Sequence, residues 1–186
     1  MTKAATVLLG TLLLAAPLAA AAQTGKPPVI RPTPRVGSMV PAFSVTTLDG
    51  QRLTRESLKG KVVLLDFWAT WCIPCVKAIP ELKELVRKTA GEPFMLLSVS
   101  VDEDKKVLEG FLAKNAVTWP QLWDGAMDFT GLFRVHSYPT YILVDHEGRI
   151  VYRFSGVVAG KTAEELEANV LRSVAAARKS APPPGS

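Results

Sequence analysis

Two cysteines in 186 residues, Cys72 and Cys75, are all the thiols of this sequence. So few exclude a fold held by a disulfide framework, which a chain of this length does not need because it can bury a core of its own. None lies in the first 22 residues, which excludes a lipid-modified leader cysteine. Histidine is as scarce, and a zinc site would have to complete the cysteine pair with His136 and His146. Like charges are not massed anywhere. The net charge is +5 and the pI about 9.3. There is no block of five like charges and no basic–aromatic alternation, so nucleic acid is not an expected partner and the basic excess reads as a solvated surface. No segment repeats.

What the sequence does contain begins with a leader. Lys3 supplies a positive end, residues 4–16 are apolar around Leu8, Leu9 and Leu12, and Pro17 ends the run. Ala20-Ala21-Ala22 then offers a small-x-small cleavage site before Gln23. Residues 1–22 are expected to be a signal peptide. The alternative is an uncleaved anchor, since 4–22 approaches spanning length although it is Ala-rich and interrupted by proline. Either way the protein is expected to be periplasmic or otherwise extracytoplasmic, where disulfide chemistry is live. Residues 23–35, with Pro27, Pro28, Pro32 and Pro34, read as an extended linker, and 180–186, with three consecutive prolines, as a disordered tail. One domain, 36–179, lies between them.

Within it, 43–47 and 51–53 flank Asp49-Gly50 and are expected to form a hairpin. Residues 55–59 read as a short helical turn. The unbroken apolar run Val62-Val63-Leu64-Leu65 marks 61–68 as a buried central strand. Residues 73–88 predict a helix with Val76, Ile79, Leu82, Leu85 and Val86 on one face, kinked by Pro80. A second buried strand is expected over 94–101. A helix follows over 103–115 with Val107, Leu108, Phe111 and Leu112 as its stripe. Then come a short strand at 119–123 and a short helix at 127–134. Residues 141–145 and 150–155 flank His146-Glu147-Gly148 and are expected to pair. Thr162 and Glu165 suggest a capping box on a last helix whose inner face is Leu166, Val170, Leu171 and Val174. Alternating strands and helices closed by a hairpin predict an α/β sandwich with a mixed central sheet.

The cysteines stand three apart where the strand 61–68 gives way to the helix 73–88. The first turn of a helix leaves backbone N–H groups unpaired and carries partial positive charge; both favour a thiolate. Cys72 is therefore expected to be the exposed nucleophile with a lowered pKa, and Cys75, one turn deeper, the thiol that attacks the mixed disulfide. Pro74 is tolerated where no donor is needed, and Ile73 adds no charge. A purely structural disulfide is the bland alternative, but so short a loop contributes only about 2 kcal/mol. Asp66 ends the apolar strand six residues before Cys72. A water-facing strand end is one reading of it. The other is a buried carboxyl with a raised pKa that accepts the proton of Cys75.

The run Asp66-Phe67-Trp68-Ala69-Thr70-Trp71-Cys72-Ile73-Pro74-Cys75, with Pro80 behind it, resembles the active-site strand and helix of the thioredoxin superfamily. The hairpin, the Gly60-Lys61 entry and Tyr138-Pro139-Thr140 through Gly148 resemble its TlpA-like, AhpC/TSA-related branch. The resemblance spans about 36–175. It implies a thioredoxin fold with a helix–strand insert between the active-site part and a cis-proline loop at Pro139. It also implies that Tyr138 offers backbone hydrogen bonds to an extended substrate and that Trp71, Ile73 and Pro74 contact it. Tyr138 as a packed strand-edge aromatic is the plain alternative, and Trp119 and Trp123 read as packing residues. Thiol–disulfide exchange with protein substrates follows, more as reductant than oxidant. A membrane electron donor, a monomer and no cofactor are expected with it. Cytochrome c maturation is one pathway of such relatives. Ser137 stands where they often have Gly, and Ala78 where many carry Glu; the missing Glu argues against a dedicated role there. A second function class is a copper-binding chaperone using Cys72, Cys75 and His136. A peroxidase lacks the Thr or Ser expected ahead of its cysteine.

Overall fold

The strand that carries Asp66 toward the cysteines has helices or hairpin against both its faces, which is why it is apolar throughout. In a computed structural model the described residues are 34–180. The expected signal peptide 1–22, most of the expected linker 23–35 and all but the first residue of the expected tail 180–186 lie outside them. The described chain opens with a two-stranded antiparallel hairpin, β1 (Ser44–Thr46) and β2 (Arg52–Thr54), and a 3-10 turn at Glu56–Leu58. Then come β3 (Val62–Trp68), α1 (Ile73–Lys77), α2 (Ile79–Lys88), β4 (Phe94–Ser100), α3 (Lys105–Lys114) and β5 (Gln121–Trp123). After α4 (Asp128–Leu132) the chain closes with β6 (Thr140–Val144), β7 (Ile150–Ser155) and α5 (Lys161–Ser180).

The five-stranded sheet has the order β5-β4-β3-β6-β7. β4 runs parallel to β3, and β5 to β4; β6 is antiparallel to β3, and β7 to β6. This is the mixed sheet of a thioredoxin fold. All seven residues of β3 are buried. Val63, Leu65 and Phe67 face Leu53, Phe129 and Phe133, whereas Val62, Leu64 and Trp68 face Leu82, Val170 and Val174. By the alternation of a strand, Asp66 points to the second side, where both cysteines and Tyr141 also pack. No described helix is long and apolar enough to cross a membrane.

Several sequence expectations shift. The helix expected over 73–88 is broken at Ala78 rather than bent at Pro80. Proline has no N–H and its ring crowds the carbonyl four residues back, so the path ends before it and restarts with Pro80 in the first turn of α2. α3 starts at Lys105 because Asp104 caps it, its carboxylate accepting the Lys106 N–H at 2.8 Å. Of its stripe, Leu108 is buried and Val107 is exposed. Thr162 forms no capping box. It lies one residue inside α5, accepts the Ala159 N–H and donates back to the Val157 and Ala159 carbonyls. The stripe of α5 is Leu166, Val170, Val174 and Ala177, and Leu171 is turned outward. The strand expected from 119 begins at Gln121; Trp119 is buried just ahead of it.

Candidate active site

Cys72 is the N-cap of α1, in extended conformation, and its Sγ accepts the Cys75 N–H at 3.3 Å. Pro74 occupies the first turn without leaving a donor unpaired, because it has none. α1 has only five residues. Its macrodipole is correspondingly short, and the Cys75 N–H is the direct electrostatic support for a negative sulfur. Cys72 and Cys75 are joined by a disulfide. The expectation of an exposed Cys72 needs correcting for this state. It is 5% exposed and Cys75 3%. In the disulfide the Cys72 sulfur is turned back over the first turn onto Cys75. Its neighbours Trp71 and Ile73 are the exposed ones, at 63% and 69%.

The facing wall is the loop before β6. The Tyr138–Pro139 peptide is cis. Trp71 and Tyr138 meet edge to face, with ring centroids 6.0 Å apart at 81°. Thr140 Oγ1 donates to the Ser137 carbonyl at 2.8 Å and the Gly156 N–H to the Pro139 carbonyl at 3.0 Å, which tie the loop down. The Tyr138 N–H and C=O make no backbone hydrogen bond among the described residues. Its phenol pKa is raised by burial, with a further push from Asp124.

Asp66 lies beneath the disulfide, 3% exposed. Burial pushes its carboxyl up to about 7, against the pull of a hydrogen bond from Ser98. That bond, Ser98 Oγ–H to Asp66 Oδ2, is 2.8 Å long, and Oδ1 has no partner. Ser98 is the register neighbour of Asp66 on β4, as Tyr141 is on β6. Asp66 and Cys75 line one small cavity of about 10 Å³ with Ser98 and Trp119. That volume is about the room one water needs.

The structure thus gathers Cys72, Cys75, Asp66, Trp71, Tyr138 and Pro139 at the carboxyl end of β3, with Ile73 and Pro74 on the turn above. His136 is exposed. Among the described residues no group of three His, Cys, Asp or Glu side chains is placed to hold a metal, and the copper alternative is not favoured. Trp68 lines the cavity that Asp66 and Cys75 share. It is buried, packs on Phe111 and donates to Gln121 Oε1 at 3.3 Å.

Sequence reasoning missed Asp102. It is 2% exposed and accepts the Thr70 N–H on both oxygens at 3.1 Å. The Thr70 and Ser100 hydroxyls also donate to it, each at 2.6 Å. The signal was an acidic residue ending an apolar strand, the same one that exposed Asp66. Ser98 and Trp119 were missed as polar partners because nothing local marks them.

Comparison with known proteins agrees with this geometry. The Redoxin family model matches residues 35–170. The thiol-disulfide oxidoreductase ResA of Bacillus cereus is 32% identical over 133 residues, 72% of this chain and 75% of that protein. Among solved structures, the thioredoxin domain of a thiol-disulfide oxidoreductase from Bacteroides vulgatus superposes with a TM-score of 0.64 at 28% identity, covering 75% of this chain and 98% of that one. StoA from Bacillus subtilis gives a TM-score of 0.60 at 25% identity over 69% of this chain and 96% of its own.

Proposed function

This chain belongs to the Redoxin family and is a thioredoxin-like thiol-disulfide oxidoreductase acting on protein thiols and disulfides; from that premise we propose that it is exported and works as a reductant through Cys72 and Cys75. The observation that carries the assignment of the pair is the Cys72 sulfur accepting the Cys75 N–H at the head of α1, with Asp66 in the same cavity as Cys75.

In the reduced protein the Cys72 thiolate attacks one sulfur of a substrate disulfide. The Cys72–substrate bond forms, the substrate S–S bond breaks, and one substrate thiolate leaves. Cys75 then gives its proton to Asp66 Oδ1, directly or through a water in the cavity. Its thiolate attacks the Cys72 sulfur and expels the second substrate thiolate. The substrate has gained two electrons, and the chain holds the Cys72–Cys75 disulfide seen here. A carboxyl titrating near 7 suits it to take and return that proton at neutral pH. The exposed Trp71 and Ile73 and the free backbone groups of Tyr138 support docking of an extended chain beside the disulfide.

Export is supported by the leader pattern of residues 1–22, and an extracytoplasmic site makes a membrane electron donor the source of the two electrons that reopen the disulfide. Reduction of insulin with dithiothreitol should require both cysteines, and unchanged activity in Cys72→Ser would sink the assignment. The equilibrium potential of the pair against glutathione reads the direction. A value on the order of −270 mV marks a reductant, and one on the order of −120 mV an oxidant.

A further inference from the structure

Only one oxygen of Asp66 is held, and what holds it is a chain of two hydrogen bonds that begins in the segment between α3 and β5. The Trp119 Nε1–H donates to Ser98 Oγ at 2.8 Å, and the Ser98 hydroxyl donates to Asp66 Oδ2 at 2.8 Å. All three side chains are buried. A serine hydroxyl has one proton and two lone pairs. With the indole N–H seated on a lone pair, the hydroxyl proton is directed away from Trp119, and the acceptor it meets is Asp66. Accepting a bond also polarises the O–H and strengthens its donation to a carboxylate.

We infer that Trp119 is a positioning residue for the exchange reaction: through Ser98 it pins Oδ2 of Asp66 and leaves Oδ1 as the oxygen that takes the Cys75 proton. The inference rests on Asp66 as the proton acceptor proposed above. It accounts for two facts that packing alone leaves aside. Trp119 and Ser98 line the same cavity as Asp66 and Cys75. And Oδ1, Oδ2's twin, is buried without a partner, which is costly unless the atom has work to do.

The groups that face Asp66 are Cys75 on α1, Ser98 on β4 and Tyr141 across the register on β6, with Glu81 of α2 close to Tyr141. Burial raises the Asp66 carboxyl, and the Ser98 hydrogen bond is the influence that opposes it. Removing the indole N–H should weaken that opposition and move the proton-accepting form of Asp66 to higher pH. Tyr141 and Glu81 are the same in every variant, so their influence cancels.

The test follows the closing of the mixed disulfide. Full-length reduced protein reacts with hydroxyethyl disulfide across pH 5–9 in a single turnover. Acid-quenched samples are weighed by mass spectrometry, which separates the Cys72 adduct from the closed disulfide. The wild-type closing rate should rise through an inflection near neutrality. Trp119→Phe should move that inflection upward by about half to one pH unit, and Ser98→Ala should do the same. The double variant should go no further than Ser98→Ala alone. A packing role for Trp119 would lower thermal stability and leave the inflection in place, which overturns the inference; so does an additive double variant. If Trp119→Phe fails to fold, benzothiophene in place of the Trp119 indole removes the N–H and keeps the shape, with the same expectation. Asp66→Asn separates the two layers. If the inflection survives it, Asp66 is not the acceptor, and its acceptor role and the positioning role of Trp119 both fall. If it disappears there but is unmoved by the Trp119 and Ser98 changes, only the positioning role falls.

Discussion

Asp102 grips Thr70 by both its backbone N–H and its hydroxyl, from 32 residues away in sequence. Thr70 stands two residues before Cys72, so the turn that delivers the nucleophile is fastened to the end of β4. The Asp102 carbonyl is engaged as well, accepting the Trp123 Nε1–H at 2.6 Å.

Asp102→Ala would leave the Thr70 N–H and the Thr70 and Ser100 hydroxyls without their acceptor in a buried place. The expected cost is about 2–4 kcal/mol, read in urea or thermal unfolding, together with a slower first attack by Cys72 on a small disulfide. Asp102→Asn keeps one acceptor oxygen and should recover part of both. Wild-type stability in Asp102→Ala would show that the turn is held by other means.

Asp66 should make stability depend on pH. Its folded carboxyl titrates near 7, the unfolded one near 3.8. Between these values the folded chain keeps a proton that the unfolded chain has lost, so this residue's contribution to stability declines as pH rises from about 4 to about 7 and is flat above. Asp66→Asn removes that slope. The variant should match wild type near pH 4 and exceed it at pH 8 by on the order of 4 kcal/mol, while losing disulfide reduction. Parallel stability curves for the two proteins would refute the raised carboxyl.

Trp71 is largely exposed and touches Tyr138 edge to face. Trp71→Ala should cost about 1 kcal/mol or less in stability. Its effect should appear in KM for a protein disulfide and not in the rate with hydroxyethyl disulfide, which is too small to dock. Equal effects on both substrates would place Trp71 in the chemistry instead.

Gly125 lies under the Trp123 indole, where an added Cβ would be 2.6 Å from Trp123 Cζ2. Gly125→Ala should therefore displace the ring and break its bond to Asp102, for a loss of about 1–3 kcal/mol. Trp123→Phe gives a smaller ring, and the alanine change should cost less in that background. Equal costs in both backgrounds would mean that the loss does not come from the ring.

The sequence announced those parts of the site whose signals are local. An unbroken apolar run placed β3, the spacing of two cysteines placed the head of α1, and a carboxylate at the end of that run placed Asp66 beneath them. The cis-proline loop was legible only through the family resemblance, since Tyr138-Pro139 alone says no more than that a strand follows. The clamp of Asp102 on Thr70 and the chain from Trp119 through Ser98 were not legible, because each joins residues brought together by strand register rather than by sequence. The helix errors have two origins, the proline that breaks 73–88 at Ala78 and the choice of the buried stripe in α3 and α5. Val107 and Leu171 are apolar at plausible spacings, but they lie at the edge of their stripes, and how each helix seats on the sheet turns both outward.

The break at Ala78 separates the turn that bears the dithiol from the helix behind it. Ala78 reaches back to Cys75 and Val76, while the Leu82 N–H reaches Ala78, so the two helices meet at one residue. Opening the five residues of α1 therefore need not unwind the ten of α2. In amide hydrogen exchange the chain should show two protection classes along what looks like one rod. The amides of Val76 and Lys77 should exchange through a shallow local opening, and those of Leu82 and Leu85 only through an opening close to the global one. That pattern would mark a reactive turn that opens while the core beneath it stays closed.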